Sequence, residues 1–352
     1  MRLFFLLLTF FCYSNTTVSA NEFSIKPRLL DDELYSETFT LFADLENGQY
    51  IYAQLGISNI GPGDQNGICR IMIFNPNEDT VNKSVVIDDS EWHYNHKPFP
   101  SLNVGLCKLS SSGHSLIFSG EIDDITANIH LNNEIADNLN TISDKEVDEK
   151  IPNHTVPVSK IEVGQSQYFS EILYPWSRAS ASSSLITHSA TTTPGNHSSN
   201  KNEPQLLSGY GYADHSISTL LPKDIASRWI RFRSINQSDS HLILIRYPDL
   251  TQKSNGWMWN QETSVESITS VSFNTNSLPI INIETSQNSD VNYAINAKHL
   301  IYRQAPLEEK GLLGKVLSQL IGNPVTYTYR ASMTAQSGIE ISGILEVSVA
   351  NE

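Results

Sequence analysis

The sequence predicts a mainly β protein built as two antiparallel barrel or sandwich units, with one short helix in the second. Three observations predict it. Short alternating or β-branched runs, bounded by Gly, Pro, Asn and Asp, recur along the whole chain. A Ser/Thr/Asn-rich break over 178–205, containing Thr191-Thr192-Thr193-Pro194-Gly195, separates two such blocks. Only one stretch keeps helical spacing. Many short strands on both sides of a break are the pattern of two all-β units.

The chain opens with Arg2, an apolar run from Leu3 to Tyr13, and a polar stretch ending Val18-Ser19-Ala20. Small residues at the last and third-last positions before Asn21 fit a signal-peptidase site. The run is shorter than the roughly 20 residues a membrane helix needs. Cys12 follows two phenylalanines, where a lipoprotein signal would place a small residue. Residues 1–20 are therefore expected to be a cleaved leader. The mature protein of roughly 330 residues is expected to be exported, periplasmic or secreted, with no integral membrane segment.

The chain carries 38 acidic against 23 basic residues, a formal net charge of −15. That argues against nucleic acid and anionic membrane as main partners; solubility is the plain meaning of the acidity. Without the leader only Cys69 and Cys107 remain. In an oxidising compartment they are candidates for a disulfide, the alternative being two buried thiols. With no CxxC, HxxxH or HxH spacing, no metal is expected, and nothing calls for a cofactor. Nor is there a GxSxG hydrolase motif, and neither remaining cysteine sits beside a histidine.

In chain order, strands are expected at Phe39 to Ala43, Gln49 to Ile57, Cys69 to Phe74 and Ser115 to Ser119. Glu46-Asn47-Gly48 joins the first two as a hairpin, since Asn and Gly accept the positive φ such turns require. Trp92, His93 and His96 lie in a Pro-bounded loop, and the acid-rich stretch 132–155 reads as a long surface connection. The break at 178–205 has too few apolar side chains to offset ordering entropy, so it reads as a loop or linker between units 21–205 and 206–352. In the second unit, strands are expected at Leu242 to Arg246, Ser270 to Phe273, Ile280 to Thr285, Thr326 to Tyr329 and Leu345 to Val349. In the last, Leu345, Val347 and Val349 alternate with Glu346 and Ser348, one face buried and one wet. The helix rests on Leu313, Val316, Leu317 and Leu320 at i, i+3, i+4 and i+7, stopped by Gly322 and Pro324. Gly311 and Gly314 each cost it about 1 kcal/mol against Ala.

The chemistry is concentrated in Gly209-Tyr210-Gly211-Tyr212-Ala213-Asp214-His215, followed by Leu221-Pro222-Lys223-Asp224 and Ser227-Arg228-Trp229-Ile230-Arg231-Phe232-Arg233. An acid, an imidazole and phenols beside flexible backbone are what a ligand pocket or an acid catalyst needs; a strand corner can contain the same residues. Arg231 and Arg233 are expected on one strand face and Ile230 and Phe232 on the other. A solvated outer face is the plain reading for two of the three arginines, leaving Arg228, beside Trp229, as the ligand candidate. Trp257 and Trp259 also share a strand face, lining either an apolar cavity or a core.

The segment 209–215 resembles the G-x-GY-x-DH signature of the two-domain lipocalin-like family. That family includes carotenoid 1,2-hydratases (hydroxyneurosporene synthases), yeast survival-factor proteins and fungal Diels–Alderases. Trp229 follows at a fitting distance. The stretch Glu37-Thr38-Phe39-Thr40-Leu41-Phe42 with Tyr50-Ile51-Tyr52-Ala53-Gln54-Leu55 is similar to the family's first hairpin. Pro324-Val325-Thr326-Tyr327-Thr328-Tyr329-Arg330 and Gly343-Ile344-Leu345-Glu346-Val347 are similar to its last strands. The resemblance implies two lipocalin-like domains and, from the hydratases, Asp214 as a proton donor to a carbon–carbon double bond, with Tyr212 and His215 beside it. Such a donor needs an apolar wall that keeps the carboxyl neutral, for which Tyr210, Tyr212 and Trp229 are candidates. Here Ser216-Ile217-Ser218 follows His215 where the hydratases carry Asn-Trp-Gly, a departure that bears on carotenoid activity and not on the fold. Three readings follow: a binder of a hydrophobic or amphipathic small molecule such as a lipid, a hydratase- or isomerase-type enzyme using Asp214, and a structural or partner-binding exported β-protein without ligand.

Overall fold

The computed structural model describes residues 25–60, 63–112, 115–132, 158–185, 205–235, 241–249, 253–260, 265–274, 278–286, 292–308, 318, 322–334 and 338–351. The expected leader, the stretch 186–204 of the break and the helix-patterned leucines at 313, 317 and 320 lie outside these residues. Ser318, inside that pattern, is helical.

The protein is mainly β, in two barrel-like antiparallel sheets. The first has twelve strands: β1 (Ser36–Leu45), β2 (Tyr50–Ser58), β3 (Asn66–Phe74), β4 (Val81–Ile87), β5 (Trp92–Asn95), β6 (Ser101–Val104), β7 (Cys107–Ser112), β8 (Ser115–Ile122), β9 (Ile125–Asn132), β10 (Val158–Val163), β11 (Ser166–Leu185) and β12 (Leu207–Ser218). Their order is β4-β3-β2-β1-β12-β11-β9-β8-β7-β6-β5, with β10 alongside β11. Helix α1 (Pro222–Ile225) then leads to a closed barrel of β13 (Arg228–Ser234), β14 (His241–Tyr247), β15 (Asn255–Asn260), β16 (Glu266–Asn274), β17 (Ile280–Thr285), β18 (Asn292–Gln304), β19 (Val325–Thr334) and β20 (Glu340–Val349). The β1–β2 hairpin turns where expected, with Gly48 at φ +86°.

The first sheet curls on itself. Cys69 on β3 and Cys107 on β7 are bridged, their Cα atoms 6.3 Å apart, although six strands separate them in the sheet order. The inner face of the curl is filled by side chains including Ile25, Phe39, Leu41, Phe118 and Ile129. The second barrel encloses Ile230, Phe232, Ile245, Ile283 and Leu345. A third apolar cluster belongs to neither interior: Phe42, Tyr50, Met72, Trp176 and Tyr212 of the first sheet meet Leu242, Trp259, Ile301 and Ile344 of the second.

Three expectations need correction. Residues 178–185 are not linker: Arg178 to Leu185 pair with β9, from Arg178↔Asn132 to Leu185↔Ile125, as the end of the 20-residue β11. Leucine-poor Ser/Ala sequence suits strand here because the neighbours, not its own side chains, supply the burial. And Leu207–Ser218, expected to open the second unit, runs antiparallel to β1 along its whole length (Ser36↔Ser218 to Leu45↔Gly209) and completes the first sheet. The chain changes sheets between Ser218 and Arg228, not near 205. The Trp92 loop is likewise partly strand, in β5, with Trp92 Nε1 donating to the Gln65 carbonyl at 2.7 Å.

Candidate functional site between the two sheets

The signature segment is not a corner but the middle of β12, hydrogen-bonded on both sides by β1 and β11. Its glycines are dictated by close approach. A Cβ on Gly209 would stand 2.2 Å from the Asp44 carbonyl oxygen, and one on Gly211 2.3 Å from a Leu131 methyl and 2.8 Å from the Phe42 carbonyl. Strand alternation then sorts the segment. Ala213, His215 and Ile217 face the interior of the first sheet, while Tyr210, Tyr212 and Asp214 face outward.

For Tyr212 and Asp214 the outward face is covered by β13 and β20. Asp214 is 3 % exposed; its Oδ2 accepts from Arg231 Nη1 at 2.9 Å and lies 3.8 Å from Arg233 Nη2. Arg233 Nη2 also donates to Glu346 Oε2 at 2.8 Å. The Arg233 guanidinium stacks 4.3 Å from the Tyr212 ring and 5.4 Å from that of Phe42. Burial alone would lower both arginines and raise Glu346, but neighbouring groups outweigh it: Tyr168 and Asp214 hold Arg231 above its ordinary range, Glu346 foremost holds Arg233 above its own, and Arg233 foremost holds Glu346 below its own. Burial, then the Asp214 charge, pushes the Tyr212 phenol up.

These charges border a cavity of about 220 Å³ between the sheets. The first sheet contributes Thr38, Thr40, Tyr52, Gln54, Arg70, Met72, Asp214 and Ser216; the second contributes Arg231, Arg233, Tyr302, Gln304, Thr326, Thr328, Glu346 and Ser348. Burial pushes the Tyr52 phenol up to about 12, tempered by the Arg70 charge. A smaller recess of about 20 Å³, on the other side of Arg231 and Arg233, is lined by Tyr212 and Trp257.

His215 belongs to a different environment, 2 % exposed inside the first sheet. Its Nε2 lies 2.7 Å from Glu37 Oε1 and its Nδ1 2.8 Å from Glu171 Oε1, with the ring stacked on Phe39 at 4.4 Å. Glu37 Oε2 accepts from the Tyr35 hydroxyl at 2.5 Å and the Arg28 amide at 2.8 Å. Burial pushes the imidazole down, but the two carboxylates outweigh it and raise it. Burial would raise Glu37, yet its bonds to His215 and Tyr35 hold it below its usual range.

The structure thus brings Tyr212 and Trp257 together at the smaller recess, leaves Asp214 at the larger cavity on the same strand face as Tyr212, and keeps His215 apart. Trp259 packs on Trp176 across the sheets, centroids 4.7 Å apart. Trp229 is buried, edge-on to Tyr168, with the Arg231 guanidinium 5.6 Å from its ring. Tyr210 is half-buried on the same strand face as Tyr212. Arg228 does not join them. It shares the inward face of β13 with Ile230 and Phe232, its guanidinium 4.3 Å from the Phe273 ring. Arg231 and Arg233, expected to be solvated, are the arginines at the cavity. Around Asp214 stand guanidiniums rather than the apolar wall that a neutral acid requires. Sequence reasoning missed Arg70, Glu346, Glu37 and Glu171. Glu37 had a signal: it falls in step with Phe39, Leu41 and Ala43, a charge on the apolar face of a strand.

In sequence the chain matches no family model and no curated protein. In structure it is similar to an AttH candidate from Nitrosomonas europaea (TM-score 0.57, 11% identity, covering 91% of this chain and 93% of that one). It is also similar to CghA crystallised with Sch210972 (TM-score 0.55, 8% identity, 96% of each chain). The fold is the two-domain lipocalin-like one. Kievitone hydratase from Nectria haematococca shares this lipocalin-like fold as well (TM-score 0.53, 10% identity, 90% of this chain and 89% of that one). At these identities the likeness is one of architecture, which hosts more than one chemistry.

Proposed function

We propose that this protein is an exported small-molecule binder that takes the polar end of an amphipathic ligand into the cavity between its two sheets. The observation that carries this reading is the cavity itself, where Asp214, Arg231, Arg233 and Glu346 converge from opposite sheets. Both barrel interiors are filled by their own side chains, which turns the search for a ligand toward the space between them. An apolar ligand lying wholly inside a barrel is therefore not what we propose. The Cys69–Cys107 bridge and the leader-like start support export.

A second reading, an enzyme of the hydratase or isomerase type, is favoured by the position of Asp214 on the cavity wall and by a hydratase among the structures of this fold. Native mass spectrometry of protein purified from its own host, with lipid extraction, reads a bound ligand directly. The Asp214→Asn variant separates the two readings. As a ligand-orienting group its loss should weaken retention by about 1–3 kcal/mol. As a general acid its loss should lower turnover by about 10²–10⁴-fold with ligand still held. Unchanged retention and turnover in a folded variant would remove Asp214 from both roles.

A further inference from the structure

The cavity carries an unbalanced charge. Among its lining side chains Arg70, Arg231 and Arg233 are cationic, Asp214 and Glu346 anionic, and the rest neutral. Both acids are engaged by Arg231 and Arg233. Arg70 has no carboxylate within 4.0 Å among the described residues. Its contacts are neutral: Nε donates to Asn82 Oδ1 at 2.8 Å and Nη2 to the Tyr302 hydroxyl at 3.4 Å. It is 7 % exposed. A guanidinium taken from water without a counter-charge is costly. In addition, Nε of both Arg231 and Arg233 is buried without a hydrogen-bond partner. A single surplus positive charge, in a protein whose net charge is −15, therefore sits at a cavity with unused donors.

We infer that the cavity is built for one carboxylate, that of an organic hydroxy acid seated on Arg70. This rests on the reading of the cavity as the ligand site. One surplus positive charge matches a monoanion, whereas a phosphate dianion would leave a surplus negative charge in the same buried space. The planar fork of Arg70 suits bidentate pairing with a carboxylate. Around it Thr40, Thr328, Gln54 and Gln304 offer hydroxyls and amides that meet a substituent hydroxyl, and Met72 is the one aliphatic side chain of the lining.

Titration calorimetry of the full chain with 2-hydroxyhexanoate, its uncharged amide and hexyl phosphate tests the assignment. The acid is expected to bind at least about tenfold more tightly than the amide and more tightly than the phosphate. In Arg70→Gln the acid and amide should come within about twofold of each other, while Arg70→Lys should keep the preference for charge and shows that the site tolerates exchange. An amide as tight as the acid in the wild type, a tighter phosphate, no binding of the acid, or an undiminished preference in Arg70→Gln overturns the assignment. If acid and amide bind equally and Asp214→Asn weakens both, the cavity remains the ligand site and only the charge assignment falls. If no probe binds and Asp214→Asn leaves host-ligand retention unchanged, both fall.

Discussion

At the scale of single residues, Asp214 and His215 show how one peptide step separates two chemistries. Asp214 faces another sheet and pairs with cations; His215 faces a closed interior and pairs with anions. The His215 network has a pH signature. A histidine raised above its ordinary 6.5 contributes stability fully below that value and loses it as pH rises through the folded value. Glu37, lowered from 4.5, contributes above 4.5 and loses its share as pH falls through its own folded value. The groups facing the imidazole are Glu37 from β1, Glu171 from β11 and the Phe39 ring, with the Tyr35 hydroxyl behind Glu37. The urea midpoint is therefore expected to hold between pH 4.5 and 6.5 and to decline above it. His215→Gln should flatten the alkaline decline, and an equal decline in wild type and variant would assign it to other groups.

At the scale of elements, β12 depends on what its neighbours leave room for. Gly209 has backbone atoms on the side where a Cβ would project, so no side chain can swing away to make space. Gly209→Ala should cost about 1–3 kcal/mol, the scale of overpacking in a tight interior. Gly164→Ala is an informative comparison, since its Cβ would meet nothing within 4 Å and only its φ of +64° resists the change. A Gly209→Ala variant with an unshifted melting temperature would mean that β12 moves away from β1 more readily than its register implies. The same element explains why the sequence boundary near 205 misplaces the strand. Composition does not say which sheet a strand joins: Arg178 to Leu185 fall inside the composition break and still pair with β9.

At the scale of the whole molecule, the two sheets share a core. Trp176 against Trp259 and Phe42 stacked on Tyr212 bury aromatic area between the barrels. Arg330 of β19 reaches across to Asp44 and donates to the Gly48 carbonyl at 2.8 Å. A shared core of this kind couples unfolding. Tryptophan fluorescence, to which Trp176, Trp257 and Trp259 at the seam contribute, and far-UV circular dichroism, which reads both sheets, are expected to trace one coincident transition. A fluorescence change preceding the loss of strand signal would show that the sheets separate before either unfolds.

By itself the sequence determined the class of fold. Period-two alternation and Gly/Asn turns are local, and local geometry suffices to read strands at 39–43, 69–74 or 326–329 and the hairpin turn at Gly48. It also determined which face of β13 carries Arg231 and Arg233, because alternation is a property of any strand. Tertiary structure alone decided what that face meets. Alternation distinguishes two faces but calls the polar one wet, and here the polar faces of β12, β13 and β20 close on each other, so Arg233 is buried and Arg231 and Glu346 are partly covered where water was expected. The pairing of Glu37 with His215, 178 residues apart in sequence, is likewise set by the β1–β12 register, and no spacing along the chain encodes it. Charge that looks like surface in one dimension is drawn together in three because two polar faces share one space.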